Sequence, residues 1–110
     1  MLGGRITLLR RGSGWSQTEL ARRLHISPSA VGMYEQGRRE PSLQGLVEIA
    51  GVFGVSADYL LTGKPVSEGD ERAVAGLLTQ AAKLQKKGRG SGFSQEELTV
   101  LFAAMAGENR

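Results

Sequence analysis

With 110 residues and a net charge of +3 (pI near 9.7), the chain has room for one small domain and a short extension, and its mild basic excess permits a polyanionic partner without requiring one. It holds no cysteine and a single histidine, which excludes a disulfide framework, a thiolate nucleophile and a cysteine metal site, so no metal, no cofactor and no enzymatic centre are expected. No apolar run approaches the roughly 20 residues needed to cross a bilayer, and the opening MLGGRITLLRRG breaks its apolar pattern with arginines instead of forming a secretory core; the expectation is a soluble, cytoplasmic protein with no membrane partner.

A first helix is expected from about Gly4 to Arg11, with Ile6, Leu9 and Leu2 inward and Gly12-Ser13-Gly14 ending it. The second has a local start signal. Ser16 can cap its free N–H groups, Glu19 sits where a capping box would place it, and Trp15 and Leu20 are spaced as a hydrophobic staple. Leu20, Ala21 and Leu24 share one face, with Arg22 and Arg23 turned to water. Leu24-His25-Ile26 then reads as a tight turn, because Ser27 is a new cap, Pro28 suits the first helical position, and Ile26 with Val31 repeats the staple. Gly37 ends this third helix. Two short helices across such a turn form a helix-turn-helix, whose second helix can lie in a DNA major groove.

After the loop Arg38-Arg39-Glu40-Pro41, Ser42 caps a fourth helix with the stripe Leu43, Leu46, Val47, Ala50 and Phe53, stopped by Gly54. Ser56 caps a short fifth helix, with Val55 and Leu60 as staple and Asp58 in its first turn. Five short helices with brief connections imply a compact all-α unit over residues 1–63. Its seven basic side chains are all arginine, against five acids, which suits forked contacts to phosphate.

Residues 64–110 read as a helical extension. Val66 to Gly69 looks like a linker, and Asp70 to Lys87 is helix-forming, with Val74, Leu77, Leu78, Ala81 and Leu84 or Gln85 near one face. Lys83, Lys86 and Lys87 suit the negative end of that helix's dipole. Gly88-Arg89-Gly90-Ser91-Gly92 is a joint. A last helix starts at the Ser94/Glu97 capping box and carries Leu98, Leu101, Phe102 and Met105 on one stripe. These stripes need cover from the first domain, from each other or from a second copy, and dimerisation is the expected use.

Ser-Gln before Glu-Leu-Ala, Ile-Ser opening the next helix, Tyr-Glu-Gln-Gly closing it, Pro-Ser opening another, and Gly-Val-Ser-Ala-Asp-Tyr-Leu-Leu at the end follow one another in an order that resembles the xenobiotic-response-element (XRE) family of helix-turn-helix regulators, which includes the lambda-type and 434-type repressors. The resemblance covers about residues 4–63. It implies a five-helix lambda-repressor-like domain and a sequence-specific DNA-binding transcriptional regulator, a repressor acting as a homodimer on a palindromic site in double-stranded DNA. The alternative is an antitoxin or anti-repressor whose C-terminal helices hold a partner protein. The family's contacts at the start of the second helix, to phosphate and at times to an end base, fall on Ser16 and Gln17. Its base contacts fall on the exposed face of the recognition helix, here Ser27, Pro28, Ser29, Ala30, Gly32 and Met33. This chain departs from the family there, since none of these side chains makes the bidentate bonds that read guanine or adenine. Arg38 and Arg39 fall where relatives grip phosphate. Arg10 and Glu35 match a structural pair joining the first helix to the recognition helix, and His25 stands where relatives often carry glycine.

Overall fold

The computed structural model describes residues 2–87, with side chains to Leu77 and for Thr79; the joint at 88–92 and the helix expected from Ser94 lie outside the described residues. Six helices follow in order: α1 (Leu2–Gly12), α2 (Gln17–Leu24), α3 (Pro28–Gln36), α4 (Leu43–Phe53), α5 (Ala57–Thr62) and α6 (Glu68–Lys87). The described chain is all-α. None of these helices is long and apolar enough to cross a membrane.

The starts of α2 to α5 lie where the cap signals put them. Ser16, Ser27, Ser42 and Ser56 are extended, and each side chain accepts from the backbone N–H three residues on, satisfying one orphan donor of the opening turn. At Ser16 the bond comes from Glu19, whose own carboxylate is bound to Arg22 and Arg23. The ends are left-handed glycines at α3, α4 and α5 but His25 at α2, with φ 58°. A side chain in that region costs about 1 kcal/mol that glycine avoids. His25→Gly should therefore stabilise the exposed turn, raising Tm by about 4 °C in a thermal melt; an unchanged or lower Tm would show that the turn carries no strain.

The helix α1 is longer than expected at both ends. Its first turn survives two glycines because it crosses the end of α3 closely: a Cβ on Gly3 would lie 2.5 Å from the Glu35 carbonyl oxygen and 2.6 Å from that of Tyr34. Ile6, Leu9, Leu20, Ala21, Leu24, Val31, Leu46, Ile49, Tyr59 and Leu60 form the core. The stripe expected on α4 is corrected. Leu43 and Val47 are 79% and 56% exposed, while Leu46, Ile49 and Ala50 are buried. Two stripes at helical spacing overlap in this sequence, and the one facing α2 and α5 is the buried one.

Two long-range polar contacts complete the bundle. Arg5 is buried, and its guanidinium donates to the Leu60 and Leu61 carbonyls at 2.8 and 3.0 Å, placing a cation on the carbonyl end of α5. The stretch expected as a linker is instead a fixed connection. Helix α6 already begins at Glu68, Gly69 sits so close to the Gly54 carbonyl that no Cβ fits, and Val74 and Leu77 are buried, Val74 within the common core. No separate core begins after Gly63 within the described residues, because the first half of α6 packs on α1.

Candidate nucleic-acid interface

The helix α3 has a sharply divided surface. Ala30, Val31 and Glu35 point inward and are buried, while Ser27, Pro28, Ser29 and Gln36 are exposed and Gly32 and Met33 half-exposed. The placement of Ala30 on the exposed face is thereby corrected: it is 7% exposed and lies one turn before Tyr34 on the face packed against the core. Its methyl is spent on packing. Gln36 is a further surface group that the sequence does not single out, because it reads as part of the closing Tyr-Glu-Gln-Gly. Its spacing, four residues beyond Gly32, could have found it.

The other helices position this face through Glu35. Its side chain, 6% exposed, accepts from Arg10 Nε at 2.6 Å and Arg10 Nη2 at 3.2 Å, and from Gln17 Nε2 at 2.9 Å. Arg10 also donates to the Trp15 carbonyl at 2.9 Å. One carboxylate thus ties α1, the start of α2 and the recognition helix together, joining the expected pair Arg10–Glu35 to the expected contact residue Gln17. The Gln17 amide lies over Gly32, where even a Cβ would come within 3.9 Å of Nε2. The missing side chain of Gly32 leaves a notch in α3 that Gln17 covers.

Ser16 and Gln17 are exposed at the α2 end of this surface, and Arg38 and Arg39 lie past the end of α3. Both arginines are exposed, and neither is ion-paired among the described residues; the Arg39 guanidinium is 6.0 Å from the Tyr34 ring centre. Their backbone N–H groups donate to the Met33 carbonyl at 2.9 and 3.4 Å, which holds the loop against the helix end. The arginines of α2 are differently placed. Arg22 and Arg23 share Glu19, and Arg23 lies 4.0 Å over the Trp15 ring, which stacks on Phe53 at 5.6 Å. The hydrogen bond from Arg22 is the main cause that holds the Glu19 carboxyl below the usual carboxylate range; desolvation opposes it, and the charges of Arg22 and Arg23 add to the lowering. No group of three or more histidine, aspartate or glutamate side chains able to hold a metal ion occurs among the described residues.

The surface therefore offers the exposed face of α3, poor in long polar side chains, with the Gln17 amide held at one edge and two exposed arginines at the other. The helix-turn-helix family matches residues 6–60, which span α1 to α5 almost entirely. Among curated proteins the chain is similar to the SPbeta prophage-derived uncharacterized HTH-type transcriptional regulator YonR of Bacillus subtilis, 40% identical over 63 residues covering 57% of this chain and 58% of that one. It is 34% identical over 70 residues to the HTH-type transcriptional regulator ImmR of Bacillus subtilis, covering 64% and 55%. With the HTH-type transcriptional regulator RamB of Mycobacterium tuberculosis it shares 38% over 76 residues, 69% of this chain but 15% of RamB. The chain thus spans little more than half the length of YonR and ImmR. No solved structure matches it significantly. With half of its length matched by the family and its helices in the family's order, the chain belongs to the XRE-type helix-turn-helix regulators.

Proposed function

We propose that the protein is a sequence-specific DNA-binding transcriptional regulator, a repressor that binds a palindromic operator as a homodimer with α3 of each copy in the major groove. The observation that carries this reading is the exposed face of α3 with Arg38 and Arg39 exposed beside it. Arginines there fit phosphate contacts, which position the helix and make affinity salt-dependent. Two copies suit a face this poor in base-reading groups, since a second half-site multiplies affinity without adding contacts to the first. Repression needs only occupancy of the site. An antitoxin-like use of the C-terminal helices has less to work with, because Val74 and Leu77 of α6 are already buried.

Gln17 supplies a polar reader that the opening turns of α3 lack. One of its two amide hydrogens goes to Glu35, which leaves one N–H and the carbonyl oxygen, the pair that an adenine edge accepts and donates to. On this reading Gln17→Ala lowers discrimination at one base pair per half-site without loss of fold.

The test is a salt titration of binding to DNA upstream of the protein's own gene and to random duplex, with solution mass measured in parallel. Upstream DNA should bind at least 100-fold more tightly. Arg38→Ala with Arg39→Ala should weaken binding to both DNAs and reduce the steepness of the log–log salt plot by about 1 per lost phosphate contact. Equal affinity and equal slope on the two DNAs would overturn the proposal.

A further inference from the structure

Beyond its first turn, α3 has one residue in full view of solvent, Gln36; Gly32 and Met33 are half-exposed and Glu35 is buried. At 3.6 residues per turn, Ser29, Gly32 and Gln36 fall within about 60° of one another around the helix, on the side opposite the buried pair Ala30 and Val31. Gln36 is thus central to the exposed face. We propose, resting on the DNA-binding reading of α3, that Gln36 is a specificity-determining residue whose amide reads an adenine in the major groove.

Geometry favours a base edge over a phosphate. A helical side chain leans toward the N-terminus and covers the turn before its own Cα; for Gln36 that turn carries Gly32, where the only atom a Cβ would meet within 4 Å is Gln17 Nε2, at 3.9 Å. The Gln36 amide therefore has open space toward the middle of α3, not only at the helix end. Gln17 bounds that space from the α2 side with one N–H committed to Glu35, and Gln36 bounds it from the turn that follows. The backbone beneath Gln36 is also fixed. Gly37 closes the helix in a left-handed conformation, and the N–H groups of Arg38 and Arg39 donate to the Met33 carbonyl, so the helix and not the loop sets where this amide starts from. A glutamine offers a donor and an acceptor side by side, the match for adenine N7 and N6. Phosphate is better served by the exposed guanidinium groups of Arg38 and Arg39.

The test is selection of binding sites from a pool of randomised duplexes by the full chain, by Gln36→Ala and by Gln36→Glu. Both changes fall on an exposed side chain, and thermal melts check that the variants fold. Wild type should favour adenine at one position of each half-site by about tenfold or more. Gln36→Ala should lose that preference at that position alone. Gln36→Glu should turn it to cytosine, whose N4 amino group donates to a carboxylate. The same selected site from all three proteins, a Gln36-dependent position that favours a base other than adenine, or binding weakened alike on every sequence, as loss of a phosphate contact gives, would overturn the proposal and leave the DNA-binding reading standing. A wild type that selects no site at all would overturn both.

Discussion

Glu35→Ala should destabilise the domain by about 3 kcal/mol or more, a fall in Tm of about 12 °C or more. The carboxylate does not sit in a surface ion pair worth a few tenths of a kcal/mol. It is nearly inaccessible and accepts three hydrogen bonds, two from Arg10 and one from Gln17. Arg10 is 14% exposed at its side chain, so removing its partner leaves a guanidinium with little water and only the Trp15 carbonyl. Much of the loss is the cost of that stranded charge, not the worth of the bond. Replacing both partners by apolar residues, Arg10→Met with Glu35→Leu, should accordingly recover most of the stability that Glu35→Ala loses. Urea unfolding of the three variants measures this. A loss below about 1 kcal/mol for the single variant would show that the pair behaves as an exposed one. Because Glu35 also orients Gln17 over Gly32, Glu35→Gln is expected to alter DNA discrimination more than its effect on stability would suggest.

Asp70→Ala should cost about 3 kcal/mol at neutral pH, and that cost should shrink in acid. Asp70 is fully buried where the connection enters α6, and its carboxylate accepts from the Ser56 N–H and hydroxyl, both at 2.7 Å, and from the Val66 N–H at 2.9 Å. Its own N–H donates to the Ser67 hydroxyl. Ser56 is at the same time the cap of α5, accepting from the Tyr59 N–H at 2.9 Å. One side chain thereby joins the start of α5, the connection and the start of α6. Burial by itself would raise the Asp70 carboxyl, but the hydrogen bonds from Ser56 and Val66 outweigh it and hold the pKa below the ordinary aspartate value. A folded-state pKa below the unfolded one means that the unfolded chain binds the proton first. The stabilisation is therefore complete above about pH 4, the unfolded value, and is lost as pH falls through the folded value. Urea midpoints of wild type and Asp70→Asn at pH 7 and pH 3 check the sign: the gap between them should narrow at pH 3. An equal gap at both would mean that the ionised carboxylate is not what holds the junction.

The order of the helices and the starts of α2 to α5 were legible because they rest on contacts within about five residues. Four serine caps, Pro28 at the start of α3 and left-handed Gly37 and Gly54 each announce themselves to their immediate neighbours. The division of α3 into two faces was only half legible. Ala30 is small and apolar, equally suited to a thymine methyl or to a core, and only the packing of α3 against α1 and α2 assigns it to the core. On α4, Leu43 and Val47 satisfied the same periodicity as Ile49, and neighbours far away in sequence decided between them.

By itself, then, the sequence determined that this chain builds a helix-turn-helix with a recognition helix short of polar base-reading groups, because helix starts, turns and stops are set by local hydrogen bonding and backbone geometry. Only the tertiary structure decided which side chains hold that unit together and how its edge is finished. Arg5 reaches the end of α5, Gln17 and Arg10 converge on Glu35, and Asp70 locks α6 to the cap of α5, across separations of 55, 18, 25 and 14 residues. Such polar contacts leave no periodic trace in sequence. A buried charge is recognisable only once its desolvation and its partners are in place together.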